Sequence, residues 1–382
     1  MPLGIYVHIP FCARRCDYCD FFVVVGGGSP GEFFERLNDD IDLCAAALQA
    51  TGSLVDTIYF GGGTPSSVDP AEVARLLDRF GRRFHLGSDP EITLEANPES
   101  VTPQSAAAWR AAGVNRLSLG VQSFNDSVLP RRGRLYDAAG ACAAVRVARG
   151  SGFDNVSVDL IAGLPGETSS SFLAGIARLV DMAPDHASVY LLETDDALKQ
   201  TPLTLALREG RERLPDEEAT VTMYTGAVER LVGAGYHHYE ISNFAQPGRE
   251  SRHNLKYWRS EEYCGVGPSA HSCLGGRRFG RPADMAGWIQ EIREGLFAPL
   301  KDDYTLEEAS ARAREALVLS LRLIDGVDLV EFARRWDFDP AVELSREIDD
   351  LRREGLLASR GASLSLTPRG VLLSNEVFAR IH

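Results

Sequence analysis

Three cysteines stand close together in "IYVHIPFCARRCDYCDFF" (residues 5–22), at Cys12, Cys16 and Cys19. Thiolates are soft ligands that suit zinc and iron–sulfur clusters. A structural zinc site normally closes a tetrahedron from two ligand pairs, but C-x3-C-x2-C is one short loop with no fourth cysteine beside it. A cubane cluster presents several irons around one centre. A single loop can therefore hold three corners and leave the fourth iron open to a small molecule. A Cys3His zinc site using His8 or a distant histidine is the competing reading. The other cysteines read more simply. Cys44 lies on the apolar stripe of Phe34, Leu37, Ile41 and Leu48, and Cys142 lies in an Ala/Val-rich helix, so both are expected in the core. Cys264 and Cys273 flank a loop near His271, and their role is open. Seven cysteines is an odd count, and metal binding by the clustered three is favoured over a disulfide framework.

The elements that position these thiols follow from the patterning of the chain. Six β-rich runs, LGIYVHI (3–9), VDTIYF (55–60), EITLEA (91–96), NRLSLGV (115–121), NVSVDLI (155–161) and ASVYLLE (187–193), are each followed by a helical pattern. Asp69-Pro70 opens one helix, with Val73, Leu76, Leu77, Phe80 and Phe84 as its apolar stripe. Thr102-Pro103 opens another, and Gly113 closes it. Alternating strands and helices predict an α/β fold with a parallel sheet, a partial (β/α)6 barrel of the TIM type. Ligands in such a fold gather at the C-terminal ends of the strands, where the unusual residues of this chain fall. The core barrel is expected over 1–235, and a connecting segment rich in aromatic and polar residues over 236–300. A small helical, winged-helix-like module with a hairpin at Gly361 is expected over 301–382. GGGSPG (26–31) reads as a flexible loop.

CARRCDYC after the first strand resembles the C-x3-C-x2-C signature of radical S-adenosylmethionine (SAM) enzymes. That resemblance implies a [4Fe–4S] cluster held by Cys12, Cys16 and Cys19. It also implies SAM on the open iron, where electron transfer from the cluster yields a 5′-deoxyadenosyl radical. In this light "YFGGGTPSS" (59–67), otherwise a plain turn, resembles the stretch that binds the SAM methionyl group through Gly62, Gly63 and Thr64. Glu95 ends strand three, Gln122 ends strand four, Arg134 follows in a loop, and Asp159 lies late in strand five. A carboxylate among apolar neighbours is costly to bury unless paired or solvated in a site. Glu95 and Asp159 suit ribose hydroxyls, Gln122 ribose or base, and Arg134 a carboxylate. Structural salt bridges at the barrel mouth are the bland alternative.

These phrases, with Tyr6 in "YVHIPFC", are similar to the branch containing the oxygen-independent coproporphyrinogen III oxidases (HemN) and the HemW heme chaperones. In the oxidases Tyr6, Gly62, Gly63, Thr64, Glu95, Gln122, Arg134 and Asp159 have counterparts around SAM. The oxidases carry a further cysteine where this chain has Phe21, and a long segment ahead of the first strand. "HNLKYW" (253–258) instead resembles the H-N-x-x-Y-W motif of the chaperones. His253 offers an axial ligand to heme iron, and Tyr257 and Trp258 offer flat faces to a porphyrin, with Lys256 or Arg259 available to a propionate. The alternative is an aromatic cluster packed on the barrel floor with His253 merely hydrogen-bonded. His237, His238 and His271 are rival ligands.

The resemblance implies a heme chaperone that binds heme and a SAM-ligated cluster and passes heme to acceptor proteins, including membrane-bound respiratory ones. It also implies a flavodoxin or ferredoxin type of reductant and a homodimer. The alternative is a radical SAM enzyme acting on a porphyrin or another substrate. The formal charge of −14, from 40 basic and 54 acidic residues, repels polyanions and argues against a nucleic-acid partner. No run is apolar enough to span a bilayer or read as a signal peptide, so a cytoplasmic location is expected.

Overall fold

Six parallel strands lie side by side in chain order: β1 (Leu3–Ile9), β2 (Leu54–Gly62), β3 (His85–Ala96), β4 (Arg116–Gln122), β5 (Val156–Ala162) and β6 (His186–Leu191). This computed structural model describes residues 2–26, 30–48, 54–194, 200–297 and 309–382. Residues 27–29 of GGGSPG and the expected module boundary near 300 lie outside the described residues. Helices α1 (Pro30–Leu48), α2 (Pro70–Arg83), α3 (Pro103–Ala112), α4 (Ala138–Gly150) and α5 (Ser169–Met182) connect successive strands. Their starts use the expected chemistry: Asp69 accepts from the Ala71 amide, and Thr102 forms a reciprocal pair of bonds with Ser105. Gly113 ends α3 at φ 110°, a conformation that favours glycine.

The period-two pattern sorts each strand into an apolar outer face and a polar inner one. Leu3, Ile5, Val7 and Ile9 are buried in one core cluster with Phe33, Phe34, Leu37 and Ile41 of α1. Full burial of each such side chain contributes roughly 1.5–3 kcal/mol. The opposite face carries Tyr59, Glu95, Ser118, Ser157, Asp159 and Ser188, tied by hydrogen bonds across neighbouring strands and, for Ser157 and Asp159, along one strand. The barrel lumen is thus a polar network whose upper end can receive a ligand.

The sheet does not stop at the sixth strand. Beyond β6 lie β7 (His237–Glu240) and β8 (Asn243–Ala245), and on the other side β9 (Tyr263–Val266), β10 (His271–Leu274) and β11 (Arg277–Gly280). The order is β11-β10-β9-β1-β2-β3-β4-β5-β6-β8-β7, with β9 parallel to β1. The stretch expected as a connecting segment (236–300) therefore extends the barrel sheet at both edges. Its strands are three to four residues long, too short for periodicity to reveal them.

Between these edges α6 (Pro202–Arg208), α7 (Glu217–Gly233), α8 (Arg252–Trp258) and α9 (Met285–Arg293) complete the barrel unit. The C-terminal module begins with α10 (Ala309–Ser320) and α11 (Leu329–Trp336). It has a three-stranded sheet of β12 (Val327–Asp328), β13 (Leu357–Arg360) and β14 (Ser363–Leu366), in the order β12-β14-β13. The expected hairpin is the β13–β14 pair, with Gly361 in its turn at φ 63°.

Cys44 and Cys264 are fully buried and meet sulfur to sulfur between α1 and β9. Cys142 is half-buried in α4.

Candidate functional site

At the C-terminal ends of the strands a pocket of about 460 Å³ opens. Its wall includes Cys12, Cys16, Cys19, Gly62, Gly63, Thr64, Glu95, Gln122, Arg134 and Asp159, so all but one of the residues expected around the cluster and SAM come together here. The exception is Tyr6, which lines a neighbouring cleft instead. Its ring stacks on Tyr59 at 6.1 Å between centroids.

The cysteine loop is held from three directions. A short parallel ribbon pairs Phe11–Cys12 with Val24–Val25. The amides of Gly63 and Thr64 donate to the carbonyls of Ile9 and Phe11 at 2.9 and 2.8 Å, which zips the glycine stretch to the loop. A Cβ on Gly63 would fall 2.6 Å from the Pro10 carbonyl carbon, and Gly62 sits at φ 111°, so both positions require glycine. Finally, Arg132, itself only 1% exposed, bridges Asp17 of the loop at 2.8 Å and Glu212 at 2.7 Å.

The three thiols are not in disulfides. Among the described residues no three His, Cys, Asp or Glu side chains converge as a single-ion site. The three cysteines share one pocket wall, and soft thiolates are a donor set that fits an iron–sulfur cluster. Burial pushes the Cys19 thiol up to about 11 and raises that of Cys12, so loading a cluster must displace protons. Thr64 Oγ1 lies 3.3 Å from Cys12 Sγ, and Arg134 donates to Cys16 Sγ at 3.2 Å.

Arg134 also donates to Asn97 Oδ1 at 3.0 Å, to the Tyr136 hydroxyl at 2.8 Å and to the Gly120 carbonyl. Burial works against its charge, but the adjacent phenols of Tyr18 and Tyr136 and the Cys16 thiol raise its pKa. Glu95 accepts from the Tyr59 hydroxyl at 2.9 Å. Burial raises its pKa to about 7, helped by Asp159 and opposed by Tyr59, the Gly62 amide and Arg116. Asp159 accepts from Ser118, Ser157 and Ser188 at 2.8, 2.9 and 2.6 Å, which makes it a strut of the lumen as well as pocket wall. Gln122 has φ 64° at an irregular register step beside Gly120, a strained placement of the kind stored at ligand sites.

Sequence reasoning did not single out Tyr59, Asn97, Ser118 or Tyr190, which also line this pocket. The period-two inner face of each strand was the signal that could have found them.

The HNLKYW segment is α8, and it plugs the barrel floor. Glu91 accepts from the amides of Arg252 and His253 at 3.0 Å each, capping the helix from inside the barrel. Lys256 is 2% exposed and pairs with Asp56 at 2.9 Å and Glu261 at 3.3 Å. His253 lies in the middle of this floor. It is 1% exposed, its Nδ1 lies 2.8 Å from Thr57 Oγ1, and its Nε2 lies 2.8 Å from the Tyr257 hydroxyl. Burial, with Lys256 and Arg116 nearby, lowers its pKa to about 3. Both ring nitrogens thus have partners, and the ring stacks on Tyr59 at 5.2 Å between centroids.

Tyr257 and Trp258 do face a space, a second cleft of about 440 Å³ beside the first pocket. Of the rival histidines, His237 pairs with Glu250 and His238 with the Ile241 carbonyl on the far edge strand, whereas His271 lines this cleft. Phe21, 64% exposed, lines both spaces.

The Radical SAM superfamily profile matches residues 6–178, and the HemN C-terminal domain profile matches residues 308–373. The chain is 37% identical to the heme chaperone HemW of Mycobacterium tuberculosis, over 98% of this chain and 94% of that protein. The chain belongs to the HemW family. HemW of Bacillus subtilis is 35% identical, with 98% of this chain and 97% of the relative covered. The solved structure of the Escherichia coli coproporphyrinogen III oxidase HemN, a radical SAM enzyme, superposes with a TM-score of 0.82 at 25% identity, covering 100% of this chain and 90% of that one. Membership of the HemW family within the radical SAM superfamily implies SAM and a [4Fe–4S] cluster. No helix among the described residues is long and apolar enough to cross a membrane.

Proposed function

We propose that this protein is a heme chaperone that holds heme beside a SAM-ligated [4Fe–4S] cluster and passes it to acceptor proteins. The observation that carries this reading is the pair of adjoining spaces that share Phe21 as a wall. One is ringed by the three thiols. The other is faced with aromatic side chains. The residue that separates them stands where the oxidases have a further cysteine.

Cys12, Cys16 and Cys19 would hold the cluster, and SAM would occupy its open corner. When bound and reduced, that pair supplies radical chemistry or a redox-sensitive switch. The chain's own contribution is placement. Because the amides of Gly63 and Thr64 are spent on the loop backbone, this stretch suits the ammonium of a methionyl group better than its carboxylate. Arg134, beside Cys16, suits the carboxylate. Glu95 suits the ribose hydroxyls, and those donors would favour its ionised form.

The test is anaerobic reconstitution followed by hemin titration and transfer to an apo-acceptor, with and without SAM. Stoichiometric hemin binding and transfer that depends on the cluster are expected. Failure to bind hemin would sink the proposal. The second reading, oxidation of a porphyrinogen, is favoured by the close superposition on HemN. Vinyl product from coproporphyrinogen III and SAM would establish it.

A further inference from the structure

Resting on the reading of the upper pocket as a SAM site, we propose that His186 is a positioning residue for that site. Through Ser157 it fixes the Asp159 carboxylate so that one acceptor position, on Oδ2, is left for a single ribose hydroxyl.

The parallel ladder brings these groups together. Ser157 stands opposite His186, and Asp159 opposite Ser188, where β5 pairs with β6. On the other side Ser118 of β4 stands opposite Ser157. Ser157 and Asp159 are two residues apart and so share the lumen face of β5. His186 is 1% exposed and Ser157 fully buried, whereas Asp159 lines the pocket. Tyr239 of β7 closes the far end. Its hydroxyl lies 2.9 Å from His186 Nε2 and accepts from the Ser251 amide at 3.3 Å. Ser251 is the N-cap of α8, so a continuous line of hydrogen bonds runs from the barrel floor to the pocket wall.

An inventory of protons gives this line a direction. A carboxylate only accepts, so Ser157 spends its one hydroxyl proton on Asp159 Oδ1 at 2.9 Å. The Ser157 oxygen, 2.8 Å from His186 Nδ1, must then accept from the ring. Burial and the Arg116 guanidinium hold this imidazole well below its usual range. The ring is therefore neutral, with its N–H on Nδ1 and a bare Nε2. That bare nitrogen accepts from Tyr239, whose phenol stays protonated because of burial and the nearby Glu240. No member has a second proton with which to reverse the line.

The same inventory sets what Asp159 can still bind. A carboxylate offers about four acceptor positions. Oδ1 takes Ser157 and Ser188, at 2.9 and 2.6 Å, and Oδ2 takes Ser118 at 2.8 Å. The place left on Oδ2 is too little for both hydroxyls of a ribose, and the second falls to Glu95 on the same pocket wall.

The experiment is SAM binding to the cluster-loaded full-length protein by equilibrium dialysis, with the 2′-deoxy and 3′-deoxy analogues of SAM as probes. Beside it stands the ring-nitrogen NMR spectrum of isotope-labelled histidine. In the wild type the His186 signals, identified by their loss in His186→Asn, should report a protonated Nδ1 and a bare Nε2. His186→Leu should weaken SAM by about tenfold. It should weaken one deoxy analogue, the one lacking the hydroxyl that meets Asp159, by less than about twofold. His186→Asn, whose amide reaches Ser157 as Nδ1 does, should bind SAM within about threefold of the wild type. Ser157→Ala, a smaller change that tests the same link if His186→Leu does not fold, should show the same loss. A protonated Nε2 in the wild type overturns the proposal. Unchanged SAM affinity in either folded variant, or failure of His186→Asn to keep binding, overturns it too. Equal weakening of SAM and both analogues also overturns it, because a general loosening of the barrel acts on all three alike. A wild type that binds no SAM refutes the SAM reading itself.

Discussion

Replacing Glu95 with glutamine should make the metal-free protein more stable at pH 8 while leaving it unchanged near pH 4. Glu95 sits among Tyr59 of β2, Asp159 of β5, Arg116 of β4 and the Gly62 amide, and burial is the largest influence on it. Its pKa stands at about 7 against an ordinary 4.5. The unfolded chain thus ionises Glu95 from about 4.5 upward, while the folded chain resists until about 7. Folding stability contributed by this group is full below the lower value, falls through the interval, and levels above it. The interval corresponds to about 3 kcal/mol. Glutamine keeps an acceptor for the Tyr59 hydroxyl but carries no charge to desolvate. The difference in unfolding free energy between variant and wild type should therefore grow by about 3 kcal/mol from pH 4 to pH 8. Urea denaturation across that range measures it, and other titrating groups cancel in the difference. A difference that stays within about 1 kcal/mol over the whole range would refute the claim that the pocket holds a desolvated carboxylate.

Three further outcomes follow from the geometry. Cys16→Ala should lose the iron content and visible absorbance of the reconstituted cluster while keeping its far-ultraviolet circular dichroism; retention of iron would remove Cys16 from the ligand set. Gly62→Ala places a Cβ 2.7 Å from the His8 ring at φ 111°, so it should cost about 1–3 kcal/mol of stability and lower SAM affinity by equilibrium dialysis; an unperturbed variant would show the close approach is dispensable. Glu91→Ala removes the cap of α8 and the negative charge that favours the buried Arg116 guanidinium. Thermal and urea unfolding should show a loss of about 1–3 kcal/mol, and a loss below about 0.5 kcal/mol would mean the floor is held by other contacts.

The two motifs of this chain differ in how directly they could be read. The cysteine loop is local: its spacing, the strand before it and the glycines after strand two fix which atoms meet, because a parallel sheet brings every strand's C-terminal end to one side. The residues picked from the strand ends accordingly line one pocket, apart from Tyr6. HNLKYW is not local. An exposed and a buried histidine look the same in sequence, and only the contacts with Thr57, Tyr59 and Glu91 place His253 under the barrel.

The sequence by itself determined the order of strands and helices, the cluster loop, and the side chains that gather at the barrel mouth. All of these follow from period-two and period-3.6 patterning, capping residues and short-range spacing. Tertiary structure alone decided that β9 would join β1 across more than 250 residues of chain, and so that His271, Trp258 and Arg312 would surround one cleft. Strands this short carry too few residues for a pattern. Their pairing energy comes from partners that only the folded chain brings near.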